Sequence, residues 1–108
     1  MADYKKLKKN GVTLGWQVTF SHNEVQDIVR GLTTASQLAA AAGAPGRVVS
    51  VVAGIGAQIF GTTDAVGGNN GVDVIFIFAT GAPVVVPKGS ADINPADVPD
   101  EIIPDWAR

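Results

Sequence analysis

Hydrophobic and polar positions alternate strictly from Val12 to Phe20. Val12, Leu14, Trp16, Val18 and Phe20 take one side; Thr13, Gly15, Gln17 and Thr19 take the other. A period of two predicts a strand with one buried and one wetter face. Asn10-Gly11 in front of it is a turn signal. The period then changes. Val25, Ile28, Val29, Leu32, Ala35, Ala39 and Ala42 recur at helical spacing. Ser21-His22-Asn23-Glu24 reads as a capping box, and Phe20 and Val25 stand at the spacing of a hydrophobic staple. Asp27 and Arg30 lie one turn apart on the other side of this helix. The pattern predicts one helix from Ser21 to about Gly43.

Ala44-Pro45-Gly46 interrupts the pattern, and Pro45 suits the first turn of a new helix. That helix is expected to run to about Val66, where Gly67-Gly68-Asn69-Asn70-Gly71 stops it. Between Arg47 and Asp64 it carries no charged side chain. Val48, Val51, Val52, Ile55 and Ile59 fall on one side, Ser50, Ala53, Gly54, Ala57 and Gly61 on another. So short a link between two helices predicts an antiparallel pair. The small residues Ala53, Ala57 and Gly61 are expected to pack closely on Ala35 and Ala39 of the first helix, leaving the Val/Ile side for the sheet.

Residues 72–79 read VDVIFIFA, apolar on both faces except for Asp73. Such a strand is covered on both sides. Thr80-Gly81-Ala82-Pro83 is a turn, and Val84-Val85-Val86 a short third strand. Pro95, Pro99 and Pro104 keep the remainder from forming a long helix or a central strand. The expected fold is therefore α+β: a small two-layer domain, strand-helix-helix-strand-strand, its antiparallel sheet packed on a helical hairpin. Residues 1–11 are expected to be a basic N-terminal arm, 12–87 a single globular domain, and 88–108 an acidic, proline-rich C-terminal arm.

Composition sharpens this picture at a few points. The chain has 108 residues, of which 46% are hydrophobic and 17% charged, enough for one ordered domain with a modest core. It has no cysteine, so disulfides, thiolate nucleophiles and cysteine metal sites are excluded. The net charge is only −2, but Lys5, Lys6, Lys8 and Lys9 stand at the front and Asp92, Asp97, Asp100, Glu101 and Asp105 at the back. Such asymmetry marks contact with an anionic surface or another chain, or simply keeps an apolar body soluble. The lysines have no apolar run behind them, which predicts no Sec-type secretion and a chain made as a soluble cytoplasmic protein.

Candidate chemistry is sparse. His22 stands beside Ser21 but reads first as an exposed residue of a first helical turn, and neighbours in the chain make poor triad geometry. Asp73 is either a buried acid or a strand-end residue reaching water. Asp64, Asn69, Asn70 and Asp73 carry oxygen ligands at a spacing that matches no calcium loop. Gly54-Ile55-Gly56 and Gly61 lack the Lys-Ser or Lys-Thr of a phosphate loop. Four lysines and Tyr4 are too little for a nucleic-acid face. No catalytic residue, cofactor or metal is expected.

The expected function is non-enzymatic: a self-associating structural or interaction protein, a homo-oligomer that binds no nucleic acid. The surface expected to carry assembly is the far face of the sheet and the C-terminal arm: Ile75, Ile77, Val85, Ile102, Ile103 and Trp106. The oppositely charged arms would clasp neighbouring copies. The alternative is a membrane-active, pore-forming, toxin-like protein that inserts its helical hairpin. Against it, the second helix falls short of the ~20 apolar residues that a span requires.

Overall fold

The structure, a computed structural model, describes residues 2–9, 11–78 and 81–89. Its elements in chain order are β1 (Asp3–Lys9), β2 (Val12–Phe20), α1 (His22–Val29), α2 (Ala35–Ala41), α3 (Gly46–Ala53), α4 (Ala57–Val66), β3 (Val72–Ile77) and β4 (Pro83–Pro87). The strands form one antiparallel sheet in the order β1-β2-β3-β4, packed against the helices. The α+β class and the antiparallel sheet over a helical layer are as the pattern predicts. The element count differs in three places, each for a readable reason.

The basic segment is a strand and not an arm. β1 pairs along β2 from Asp3↔Thr19 to Lys9↔Val12, with an irregularity between Leu7 and Lys8. The chain turns back within two residues, and Gly11 takes a φ of 80° there, the left-handed conformation that glycine adopts without steric cost. Tyr4 packs against the core and Leu7 is buried, while Lys5, Lys6 and Lys8 stay exposed. Lysine is a residue of edge strands, where it discourages pairing with other chains.

The first helix is broken in two. α1 begins with the expected capping box: Ser21 Oγ accepts from Glu24 N–H (3.2 Å), and Ser21 N–H donates to Glu24 Oε1 (3.0 Å). It ends at Gly31, φ 77°, whose N–H donates to the Ile28 carbonyl while the Leu32 N–H donates to that of Asp27. This is a Schellman termination. A second capping box, Thr34 with Gln37, then starts α2. Replacing the cap, Thr34→Ala, is expected to cost about 1 kcal/mol, read as an earlier midpoint in urea unfolding with an unchanged slope.

The uncharged second helix is also broken. Gly54 caps the end of α3, Gly56 caps the start of α4, and the two axes bend by 81°. Glycine lowers helix stability by about 1 kcal/mol relative to alanine, and two of them flank the bend. The antiparallel arrangement survives in pieces: α2 packs on α3 and α1 on α4, so the breaks in the two legs lie at the same level. The bend changes which residues form the core. Val48 and Val52 are buried as expected, but in α4 it is Phe60 that is buried, edge-on to Phe20 (centroids 5.3 Å apart), and Ile59 is exposed.

Candidate functional site

Three polar or concave features stand out. The first joins α1, α4 and the entry to β3. His22 Nδ1 lies 2.5 Å from Asp64 Oδ2, and Asp64 Oδ1 accepts from the Gly71 N–H at 2.8 Å. His22 is placed by the capping box and Asp64 by the last turn of α4. Asp64 is buried, and a buried carboxylate is tolerated only when it is paired. Gly71 has a φ of 104°, and a Cβ there would overlap the Phe20 carbonyl, so this position requires glycine. The cluster fastens the end of α4 both to the start of α1 and to the turn before β3.

The second feature is on the sheet face opposite the helices. Asp73 is buried and does not reach water as a strand-end residue would. Its Oδ1 accepts from the Thr19 hydroxyl at 2.7 Å, across the β2–β3 pair, and its Oδ2 accepts from the Gly89 N–H at 3.1 Å. The oxygens that might have formed one calcium loop are therefore divided between two separate networks. No group of three or more His, Cys, Asp or Glu side chains able to hold a metal ion occurs among the described residues.

The third feature is a groove of about 300 Å³ where the two helix breaks meet. Gly31, Thr33 and Thr34 line it from one break, Ala53, Ile55 and Ala57 from the other. Its hydroxyls already serve the cap of α2: Thr34 Oγ1 accepts from the Gln37 N–H, and Thr33 Oγ1 donates to Gln37 Oε1 at 3.3 Å.

The residues expected to pack two helices closely divide. Ala35 and Ala39 are buried in the core, and Gly61 does face α1, where an added Cβ would press on Val29 Cγ2. Ala53 and Ala57 are exposed, because the bend at Gly54–Gly56 takes them out of the helix–helix seam. The expected association surface divides as well. Val85 lies against the helix-side core, opposite Val74. Ile75 is on the far face but only 1% exposed, so it is not open to a partner. Ile77 is half-buried. Ile102, Ile103 and Trp106 lie outside the described residues. Of the lysines, Lys5, Lys6 and Lys8 project from the edge strand, and Lys9 continues it by backbone pairing.

The contact that sequence reading missed is His22 with Asp64. Forty-two positions separate them, and no local pattern links residues so far apart. The chain matches no protein-family model, and no curated protein or solved structure matches it.

Proposed function

We propose that the protein is a non-enzymatic, self-associating interaction protein whose copies meet through the outer surface of the helical layer. The observation that carries this reading is the near absence of charge from α2 to α4, whereas α1 keeps Glu24, Asp27 and, at its end, Arg30. From Gly31 to Gly71 the chain has only Arg47 and Asp64 as charged residues, and Asp64 is buried. The same layer exposes Leu32 (72%), Val29 (51%) and Ile59 (50%). Interface centres are depleted of charge, and exposed apolar side chains in one region mark contact surfaces. Leu32 stands between Gly31 and Thr33, both of which line the groove. A twofold pairing lets the Leu32 of each copy enter the groove of the other.

The sheet edges support assembly less well. β1 is guarded by its lysines, and β4 has a proline at each end, where no N–H is available to pair. Light scattering on Leu32→Lys and Ile59→Lys tests the reading. Both variants are expected to lose association, with folding stability changed by no more than about 0.5 kcal/mol, since both positions are exposed. Variants that associate like the wild type would overturn it.

A second reading, insertion into a membrane, rests on one observation. No single described helix is long and apolar enough to cross a bilayer, but α3 and α4 taken together meet that test across their bend. Leakage of dye from anionic vesicles separates the two readings, because self-association alone predicts none.

A further inference from the structure

We propose that Asn70-Gly71 is a deamidation site and that Asp64 holds it shut in the folded chain. An asparagine followed by glycine is especially open to this modification, because a glycine, without a Cβ, leaves its own nitrogen unshielded. The Gly71 nitrogen gives up its proton to solvent and attacks Asn70 Cγ. The bond from Cγ to Nδ2 breaks, and Nδ2 takes up a proton and leaves as ammonia. Water then opens the cyclic imide at either carbonyl, leaving aspartate or isoaspartate. The second product adds a carbon to the main chain and moves Gly71 out of register with its partners.

The turn before β3 needs both residues. Gly71 has a φ of 104°, and a Cβ there would overlap the Phe20 carbonyl. Asn70 closes the turn after α4, its Nδ2 donating to the Gly67 carbonyl at 3.0 Å. Asn70 is exposed, so water reaches its side chain, while Gly71 is buried. The fold thus sets a labile pair at the surface, and its hydrogen bonds restrain that pair. The Gly71 N–H, the group that must lose its proton, donates to Asp64 Oδ1 at 2.8 Å. Removing that proton would leave an anion facing a carboxylate, like charge against like. The Gly71 carbonyl accepts from the Lys88 N–H at 3.0 Å, which fixes the residue from its other side. His22 Nδ1, on the second oxygen of Asp64, keeps the carboxylate in place. This role of Asp64 is independent of the helical surface proposed for assembly.

Peptide mapping by mass spectrometry reads the conversion at residue 70 in the full-length protein held at mildly alkaline pH. Asp64→Ala is expected to convert about tenfold faster than the wild type, the factor that a lost hydrogen bond to a charged group allows. Asp64→Asn keeps an oxygen for the Gly71 N–H and should stay within about threefold of the wild type. Phe60→Ala weakens the fold without removing the Asp64 carboxylate, so it too should stay within about threefold. Equal rates in the wild type and Asp64→Ala overturn the proposal. So does a rise in Asp64→Asn or Phe60→Ala as large as that in Asp64→Ala. Amide hydrogen exchange gives a second measurement on the wild type alone. The Gly71 N–H is expected to exchange far more slowly in the folded chain than in the urea-unfolded one. Exchange at the unfolded rate overturns the proposal.

Discussion

Phe60→Ala is expected to destabilise the protein by about 3–5 kcal/mol, the range for removing a fully buried phenylalanine. Phe60 is 0% exposed and meets Phe20 edge-on. The loss has two parts: the transfer of the ring and the cavity left between α4 and β2. Domains of this size unfold with only about 5–15 kcal/mol, so the variant should melt well below the wild type. Its neighbour gives the contrast. Ile59→Ala is expected to cost under about 1 kcal/mol, since half of that side chain already faces solvent and little apolar area leaves the core. An unbroken helix from Pro45 predicts the reverse order, because it places Ile59 with Val48, Val52 and Ile55 on the sheet side. Urea unfolding of the two variants decides between the bent and the straight helix.

Asp64→Ala is expected to cost about 2–4 kcal/mol. The substitution leaves the buried Gly71 N–H without its acceptor and His22 without its carboxylate. Three elements lose a shared fastening. Asp64→Asn keeps an oxygen for Gly71 and the shape of the side chain, so it should lose less, about 1–2 kcal/mol. His22→Ala should cost less again, since the imidazole is partly exposed. If His22 and Asp64 stabilise the fold through each other, the double variant falls short of the sum of the singles. Chemical denaturation of the four proteins gives the coupling directly; full additivity would place the role of Asp64 in the Gly71 bond alone.

How far the sequence could be read depends on whether a feature is local. The capping box at Ser21, the alternation in β2 and the two apolar faces of β3 are short-range patterns, and all three stand in the structure. The second capping box was equally local. Thr34-Ala35-Ser36-Gln37 has the right residues at the right spacing, but the apolar periodicity running through Leu32, Ala35 and Ala39 masks it. Gly31 is the missing cue, since a left-handed glycine and a capping threonine three residues later end one helix and start another. β1 was hidden for a different reason. Its lysines read as a solvated arm, although Asn-Gly ahead of an alternating run is also the mark of a hairpin. The bend at Gly54–Gly56 and the pairing of Asp64 with His22 depend on how the layers meet. No window of neighbouring residues contains that information.

The most direct test of the proposed assembly is sedimentation equilibrium of the wild type over a range of concentrations. The charge-poor surface of α2 to α4 predicts a mass that rises above the 11.1 kDa of one chain as concentration increases. High salt should not reverse the rise, because apolar contacts are not screened. A mass of 11.1 kDa at every concentration would contradict the account.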